Sequence, residues 1–504
     1  MDKPKSEKIL DIATKRGFVY PSAEIYGSKA GFWTYGSLGT KIKHKWENIW
    51  RKSFLSLNTN FYEIDDCNIM PKKVFESSGH LKHFNDTMTE CEKCHSRFRA
   101  DQIVEDTLKI DVGSLKEKEL TILIRENKIK CLNCKGNLSE ARFFNIMFGP
   151  FKVGVTGEDE VYLRPESAQS PYLAFKREFE ATRRRLPLGL AVVGNAFRNE
   201  ISPRQGFFRL REFSQAELQI FFDPERVNEH ESFNKVKNYN LIIFSDKKLK
   251  KISCKEMNEK LKFPKFYVYH MVKVQEFYLN IMQIPEKLFR FRELDSNERA
   301  FYNKIHFDVE LNLESLGGWK EVSGVHYRGD YDLGGHQLGS GEKLEVTIDE
   351  AGKVKRFIPH VLELSFGVDR NIWALLDIFY KEEKERTLFS FPSNLTPLDA
   401  AVFPLVNKEK LPDFSENIFN VLLSEGFTVF YDDSGSIGKR YRRQDEIGTK
   451  LCLTADFDSL KNEDVTIRDR DTMNQVRIKS KDLKSVLNKL IRENKSLSDF
   501  GKYI

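Results

Sequence analysis

The sequence predicts an α+β protein: a strand-rich body carrying insertions, followed by a small C-terminal α/β domain. Three observations predict it. The first is size: 504 residues at 40% hydrophobic content suit two or three domains with cores of their own rather than one packed unit. The second is the alternation of polar and apolar residues over 143–222 and again from 301 to 357, the period of half-buried strands. The third is a change of pattern after Pro392, where short apolar runs take turns with helical stretches of about ten residues, the mark of an α/β unit.

The first part spans residues 1–85. Its opening is charged and lacks the apolar region of a secretory signal. No run in the chain approaches the roughly 20 apolar residues that cross a bilayer. The expectation is a cytoplasmic protein without a membrane partner. Over 38–54, Ile42, Trp46, Ile49 and Trp50 recur at helical spacing, which predicts an amphipathic helix.

Residues 86–142 are charged and read as an insertion. They hold two C-x-x-C pairs, Cys91 with Cys94 and Cys131 with Cys134, among seven cysteines in all. An odd count with tight pairs points to a metal site in a reducing compartment, not to a disulfide framework. Four thiolates suit tetrahedral zinc in a structural site with no open position. Reduced knuckles without metal are the competing reading. His80 and His95 lie close by but are not required as ligands, and Cys67, Cys254 and Cys452 read as lone buried residues.

The body resumes over 143–385. Within it, residues 223–300 are rich in Lys and Asn with short apolar islands, and are read as a further insertion. Residues 344–348 and 354–357 flank Asp-Glu-Ala-Gly, a hairpin signal, and a helix follows at about 367–381. The C-terminal domain, 393–504, should begin with a strand at 400–405 and a helix ending at Gly426, where glycine can take the left-handed cap. A strand at 428–431, a basic helix, a strand at 451–455 and a closing helix near 481–493 complete it. The run Lys439-Arg440-Tyr441-Arg442-Arg443 suits RNA backbone, and a solvated basic helix fits it equally. The net charge of +6, from 81 basic and 75 acidic residues, is compatible with a nucleic-acid partner without arguing for one.

The chemistry concentrates in Phe197-Arg198-Asn199-Glu200, a loop, and Arg209-Leu210-Arg211-Glu212-Phe213. Read as two strands and a loop, Arg198 and Glu200 share one face. On the return strand Phe213, Gln215, Glu217 and Gln219 share a polar face, while Ala216, Leu218, Ile220 and Phe222 belong against a core. A solvated sheet face is the ordinary reading of one such strand. Arginines, acids and an aromatic converging is not, and planar guanidinium forks pair bidentately with phosphate oxygens.

These segments resemble motif 2 of the class II aminoacyl-tRNA synthetases. Gly367-Val368-Asp369-Arg370, opening a helix striped by Ile372, Leu375, Leu376 and Phe379, resembles motif 3. The resemblance implies an antiparallel-sheet catalytic domain and a C-terminal anticodon-binding domain. It implies that Arg198 holds the α-phosphate of ATP, Glu200 reads the adenine amino group, Phe213 stacks on adenine, and Arg209 and Arg370 meet the γ-phosphate. Asn199, Phe208, Leu210, Arg211 and Glu212 complete the implied ATP surface on motif 2. Gly367, Val368 and Asp369 do so on motif 3. Glu321-Val322 is a further ATP-contact pair, with Glu321 a candidate Mg²⁺ ligand or an ordinary strand residue.

Three more segments resemble glycyl-tRNA synthetases of the homodimeric type: Tyr162-Leu163-Arg164-Pro165-Glu166-Ser167-Ala168-Gln169, Arg328-Gly329-Asp330-Tyr331-Asp332-Leu333 and Glu363-Leu364-Ser365-Phe366-Gly367. The likeness runs from Tyr20-Pro21-Ser22-Ala23-Glu24-Ile25-Tyr26-Gly27 to Thr466-Ile467-Arg468-Asp469-Arg470-Asp471-Thr472-Met473. It implies that Glu166, Glu363 and Ser365 hold the glycine ammonium and that Arg328 meets its carboxylate or the adenylate. Arg99, Phe213, Gln215, Glu217 and Gly367 are the other implied glycine contacts. Leu364 and Ser37 stand where the family usually has proline, and Ser170 where it has glycine, leaving the acids and arginines intact.

The implied partners are ATP with Mg²⁺, glycine, tRNA(Gly) and a second copy of the chain. A non-catalytic synthetase-like subunit that binds nucleic acid is the alternative, but such proteins lose the arginines and acids retained here. A synthetase for another amino acid would need a larger pocket with a side-chain-reading group.

Overall fold

The computed structural model describes residues 3–110, 112, 115–201, 203, 206–294, 303–350, 352–493 and 495–504. The long alternating runs pair into one nine-stranded sheet. From edge to edge its strands are Lys248–Ser253, Asn240–Ser245, Phe289–Glu293, Ile305–Leu313, Gly318–Gly329, His360–Gly367, Glu212–Phe222, Leu188–Phe197 and Phe61–Glu63. Pairing is antiparallel except where Phe61–Glu63 joins Leu188–Phe197 and where Asn240–Ser245 joins Phe289–Glu293.

One face of this sheet buries the main core. Ala216, Leu218, Ile220 and Phe222 point into it, as the alternation predicts, against the helices Ser37–Phe54, Lys265–Glu276 and Val368–Phe379. The stripe Ile42, Trp46, Trp50 and Phe54 is fully buried there. The predicted hairpin forms as Val346–Glu350 and Lys353–Phe357; Ala351 of its turn lies outside the described residues.

Three sequence expectations change. Residues 143–222 include the helix Gln169–Ala181, whose Tyr172, Phe175 and Phe179 pack on the sheet; the strand reading passed over that three- and four-residue spacing. Residues 301–357 include the helix Tyr331–Ser340. Residues 223–300 do not stand apart as an insertion. They add Asn240–Ser245, Lys248–Ser253 and Phe289–Glu293 to the main sheet and Lys265–Glu276 to its core. Residues 295–300 of that stretch, and Phe301, lie outside the described residues.

The cysteine-bearing segment forms a three-stranded sheet, Arg97–Arg99, Asn85–Glu90 and Arg142–Asn145, with the helices Ala100–Leu108 and Glu117–Glu126 over a small core. The C-terminal part has a five-stranded sheet. Val429–Tyr431, Ala400–Pro404 and Leu451–Ala455 run parallel, and Asp464–Asp469 and Gln475–Lys479 add antiparallel. That last pair was not foreseen. Among the described residues no helix is long and apolar enough to cross a membrane.

Candidate active site

On three neighbouring strands the polar residues fall in rows. Glu217 lies opposite Ser365, and Ser365 opposite Gly324; one pleat on, Gln219 lies opposite Glu363, and Glu363 opposite His326. Side chains alternate across a strand, so both rows occupy the face turned from the main core. Glu166, just before the helix Gln169–Ala181, reaches the same place. The result is a cleft of about 930 Å³ counting its open mouth.

One end of the cleft is acidic. Glu166, Glu217 and Glu363 are 8, 2 and 3% exposed, and buried carboxylates are costly unless paired. Glu363 accepts from Arg328 at 3.0 Å and from Gln219 at 2.9 Å, and bonds His326. Burial alone would raise its carboxyl, but Arg328 and His326 outweigh that and hold it at about 2. At Glu166 the upward push of burial is likewise overcome, by His80 at 3.4 Å, by Arg328 and by Gln169 at 2.9 Å, and its carboxyl stays well below the usual range. Arg328 is itself anchored by two bonds to Asp332, of 2.7 and 2.8 Å.

Glu217 differs. Among the described residues it hydrogen-bonds only to neutral groups: Ser365 Oγ at 2.6 Å, Ser167 Oγ at 2.8 Å and Gln215 Nε2 at 2.9 Å. Burial, and then the charges of Glu363 and Glu166, push its carboxyl up to about 7. At this end Glu217 is left without a cationic partner among the described residues, which suits an incoming ammonium.

The other end is cationic. Arg198 lies between the rings of Phe84 and Phe213, 5.2 and 5.3 Å from their centres, and donates to Pro165 O at 3.0 Å. Arg209 pairs with Glu200 at 2.6 Å. Arg370, in the first turn of Val368–Phe379, pairs with Glu321 at 3.1 Å and lies over Phe208. Asp369 accepts from Ser214 N and Tyr35 Oη, both at 2.5 Å, which fixes that helix start against the strand. Three planar cations, Arg209 and Arg370 held by acids that a ligand can displace and Arg370 in the first turn of a helix, suit a polyphosphate.

The cleft gathers Arg198, Glu200, Phe208, Arg209, Leu210 and Phe213 from the loop and return strand, with Gln215 and Glu217 deeper in. Glu321, Val322 and Arg328 line it from one neighbour, and Glu363, Ser365, Gly367, Asp369 and Arg370 from the other, with Glu166 beside them. Four expected ATP contacts, and Arg99 of the expected glycine contacts, lie elsewhere. Asn199 N bonds Ile146 O, Arg211 turns to Ala30 O and the Phe32 ring, Glu212 accepts from Asn195, and Val368 is in the core. Asn199 and Arg211 lie outside the strands, so alternation does not govern them, whereas Glu212 opens the return strand and Val368 opens a helix. Arg99 stands outside the cleft with Asp101 and Asp86, and Asp86 in turn lies 3.9 Å from Arg209.

Ser214, Ser323, Gly324 and His326 also line the cleft and were not anticipated. Stepping back by twos from Arg328 reaches His326 and Gly324, and that period was the available signal.

The four paired cysteines converge as expected. Their sulfur atoms all lie within 4.8 Å of one another, with Cys91 to Cys134 at 3.4 Å and Cys94 to Cys131 at 3.6 Å. Zn–S bonds of about 2.3 Å place tetrahedral sulfurs roughly 3.8 Å apart, so the set fits a four-thiolate metal. Two like turns present them: His95 N bonds Cys91 O, and Lys135 N bonds Cys131 O. A Cβ on Gly136 would come 3.0 Å from Cys91 Sγ.

The basic run of the C-terminal part divides. Arg440 is buried and donates to the carbonyls of Pro404, Asp433 and Gly435, so it braces a turn and is withdrawn from any RNA surface. Arg443 pairs with Asp432 at 2.7 Å. Lys439 is exposed and Arg442 partly so.

Comparison with known proteins agrees with this geometry. Residues 151–379 match the family described as the tRNA synthetase class II core domain (G, H, P, S and T), and residues 399–490 match the anticodon binding domain. The glycine–tRNA ligase of Thermococcus gammatolerans is 39% identical, aligned over 97% of this chain and 99% of its own. That of Aeropyrum pernix is 36% identical over 98% of each. A prolyl-tRNA synthetase structure from Cryptosporidium parvum superposes with a TM-score of 0.58 at 13% identity, covering 98% of this chain and 77% of that one, a likeness of fold. With full-length relatives above a third identical, the chain belongs to the glycine–tRNA ligase family of class II aminoacyl-tRNA synthetases.

Proposed function

We propose that the protein activates glycine with ATP to glycyl-adenylate and transfers the glycyl group to the 3′ end of tRNA(Gly). The observation that carries this is the meeting, in one cleft, of Glu166, Glu217 and Glu363 with Arg198, Arg209 and Arg370. Glycine offers no side chain, so its affinity must come from its charged ends, and charged hydrogen bonds contribute about 1.5–3 kcal/mol each. The three glutamates suit its ammonium, and Ser365 holds Glu217 in place for it. A pocket that rejects any Cβ meets no smaller rival.

The glycine carboxylate attacks the α-phosphorus of ATP, and the bond to the bridging oxygen breaks to release pyrophosphate. Arg198 suits the α-phosphate, Arg209 and Arg370 the γ-phosphate, Glu200 the adenine amino group and Phe213 the adenine face. No side chain need act as nucleophile; positioning and neutralisation of the developing charge do the work. The 3′-hydroxyl of the tRNA then attacks the glycyl carbonyl carbon, and AMP leaves.

Glu321, half exposed beside Arg370, suits Mg²⁺, which binds through one or two carboxylates plus phosphate oxygens and spreads the phosphate charge when present. The four cysteines would hold structural zinc. Of the basic run, exposed Lys439 and partly exposed Arg442, which pairs with Asp445, suit the RNA backbone. A homodimer in the cytoplasm completes the reading.

Glycine-dependent ATP–pyrophosphate exchange tests it, run beside alanine, serine and histidine. Exchange should require glycine. Exchange driven equally by alanine would overturn the amino-acid assignment, and none with any of the four would favour a non-catalytic role.

A further inference from the structure

We propose that His306, Asp308 and His326 form a second metal site, for a divalent cation of the zinc class, in the wall of the cleft. The strands Ile305–Leu313 and Gly318–Gly329 place His306 opposite His326 and Asp308 opposite Gly324. His306 and Asp308, two residues apart, share a face. His306 Nε2 lies 2.9 Å from Asp308 Oδ1, and the two imidazole rings are 4.2 Å apart. One ligand atom from each of the three residues lies within 4.8 Å of the others.

Gly324 makes the convergence possible. A Cβ there would stand 2.2 Å from His326 Nε2, so the ring leans over the glycine toward Asp308 with that nitrogen leading. The opposite nitrogen, Nδ1, bonds Glu363. An imidazole that donates Nδ1–H to a carboxylate presents Nε2 as a lone pair, the usual state of a metal-binding histidine. His306 has the same support. Its Nδ1 is 3.1 Å from the Asn303 amide nitrogen, and Asn303 Oδ1 is buried with no hydrogen-bond partner. Turning that amide over, an assignment free at ordinary resolution, lets Oδ1 accept from Nδ1–H and leaves Nε2 for a ligand.

Two imidazoles and a carboxylate select zinc, cobalt or nickel over magnesium or calcium. Three protein ligands leave a fourth position open, on the side where His326 lines the cleft. His306 and Asp308 contact neither ATP nor glycine in the reading above, and His326 acts there only through Glu363. A bound cation would fix the His326 ring and, through Nδ1–H, the carboxylate of Glu363.

Cobalt(II) titration of the metal-free full-length protein, without substrates, tests this independently of the glycine reading. Thiolate ligands give intense sulfur-to-cobalt charge-transfer bands, whereas imidazole and carboxylate give weak ligand-field bands alone. The wild type should take up a further equivalent after the charge-transfer bands saturate, adding ligand-field intensity only. His306→Gln and Asp308→Asn should each lose that equivalent and keep the charge-transfer bands. The proposal is overturned if the wild type saturates with the charge-transfer bands, a result that needs no variant to fold, or if both variants retain the later equivalent.

Discussion

Glu217 is the glutamate of the acidic end that has no cation bonded to it among the described residues, and its behaviour should set the pH dependence of glycine binding. Its carboxyl, pushed up to about 7 by burial and then by Glu363 and Glu166, is charged above that pH and neutral below it. An ammonium needs the anion, so the apparent KM for glycine should rise as pH falls from about 8 to about 6, approaching tenfold per unit below the midpoint. In the empty protein the sign is the reverse for stability. The unfolded chain ionises this group first, so raising the pH from the ordinary glutamate range toward 7 destabilises the fold. Glu217→Gln should give a high KM that no longer varies over this range; equal slopes in variant and wild type would exclude the role. Arg198 belongs to the other end of the cleft. Arg198→Ala should slow exchange by roughly 10²–10³-fold, the scale of losing one donor to developing charge, with the urea midpoint little changed. At this scale the sequence was legible wherever period-two alternation holds, as at Gln215, Glu217 and Gln219. It was not legible at Asn199 and Arg211, which lie between the strands, where side-chain direction follows local turns.

Among the elements, the helix Ser37–Phe54 was the plainest in the sequence because Ile42, Trp46, Ile49 and Trp50 recur at helical spacing, and all but the half-buried Ile49 are fully buried. Trp50, packed against Phe54 and Phe366, should cost about 3–5 kcal/mol when cut to alanine, read from urea unfolding. The helix Tyr331–Ser340 was not legible, because its glycines lower helix propensity by about 1 kcal/mol each. The structure shows why two of them are there: a Cβ on Gly335 or Gly339 would strike Ser77 on the helix Lys72–Ser77. Tertiary contact overrides local preference, and no window of sequence contains both helices. The strand Asn85–Glu90 links two sites in the same non-local way. Asp86, near one end, lies 3.2 Å from Arg99 and 3.9 Å from Arg209, while Cys91 follows directly at the other. Asp86→Asn should raise the KM for ATP about tenfold, the worth of one charged contact, and leave that for glycine nearly unchanged. Cys91→Ser should act in the same direction by loosening the far end of the strand, and equal effects on both substrates would sink the linkage.

Across the whole molecule, the joint between body and C-terminal domain is made by charges far apart in the sequence, which is why no motif announced it. Arg386 and Asp445 are both buried and pair at 3.2 Å, and Arg386 also donates to Arg470 O at 2.7 Å. Arg470, 1% exposed, in turn reaches Phe391 O and Gly448 O, each at 2.8 Å. Lys45 with Asp399 and Arg16 with Glu446 add pairs nearer the surface. Removing one partner of a buried pair typically costs 3–5 kcal/mol, because the other is left uncompensated; Arg468, 3.0 Å from Asp445, would offset part of that here. The residues proposed to bind ATP and glycine lie wholly in the body, and the matched anticodon-binding region lies wholly in the domain. Adenylate formation therefore needs only the body, whereas charging needs both parts held at one spacing on a single tRNA. Arg386→Ala should leave glycine-dependent exchange within about twofold, as expected of distant sites, while the rate of tRNA charging falls about tenfold or more. Parallel loss of both activities would mean that the joint shapes the cleft itself, and no loss of either would mean that the remaining pairs suffice to hold the domain.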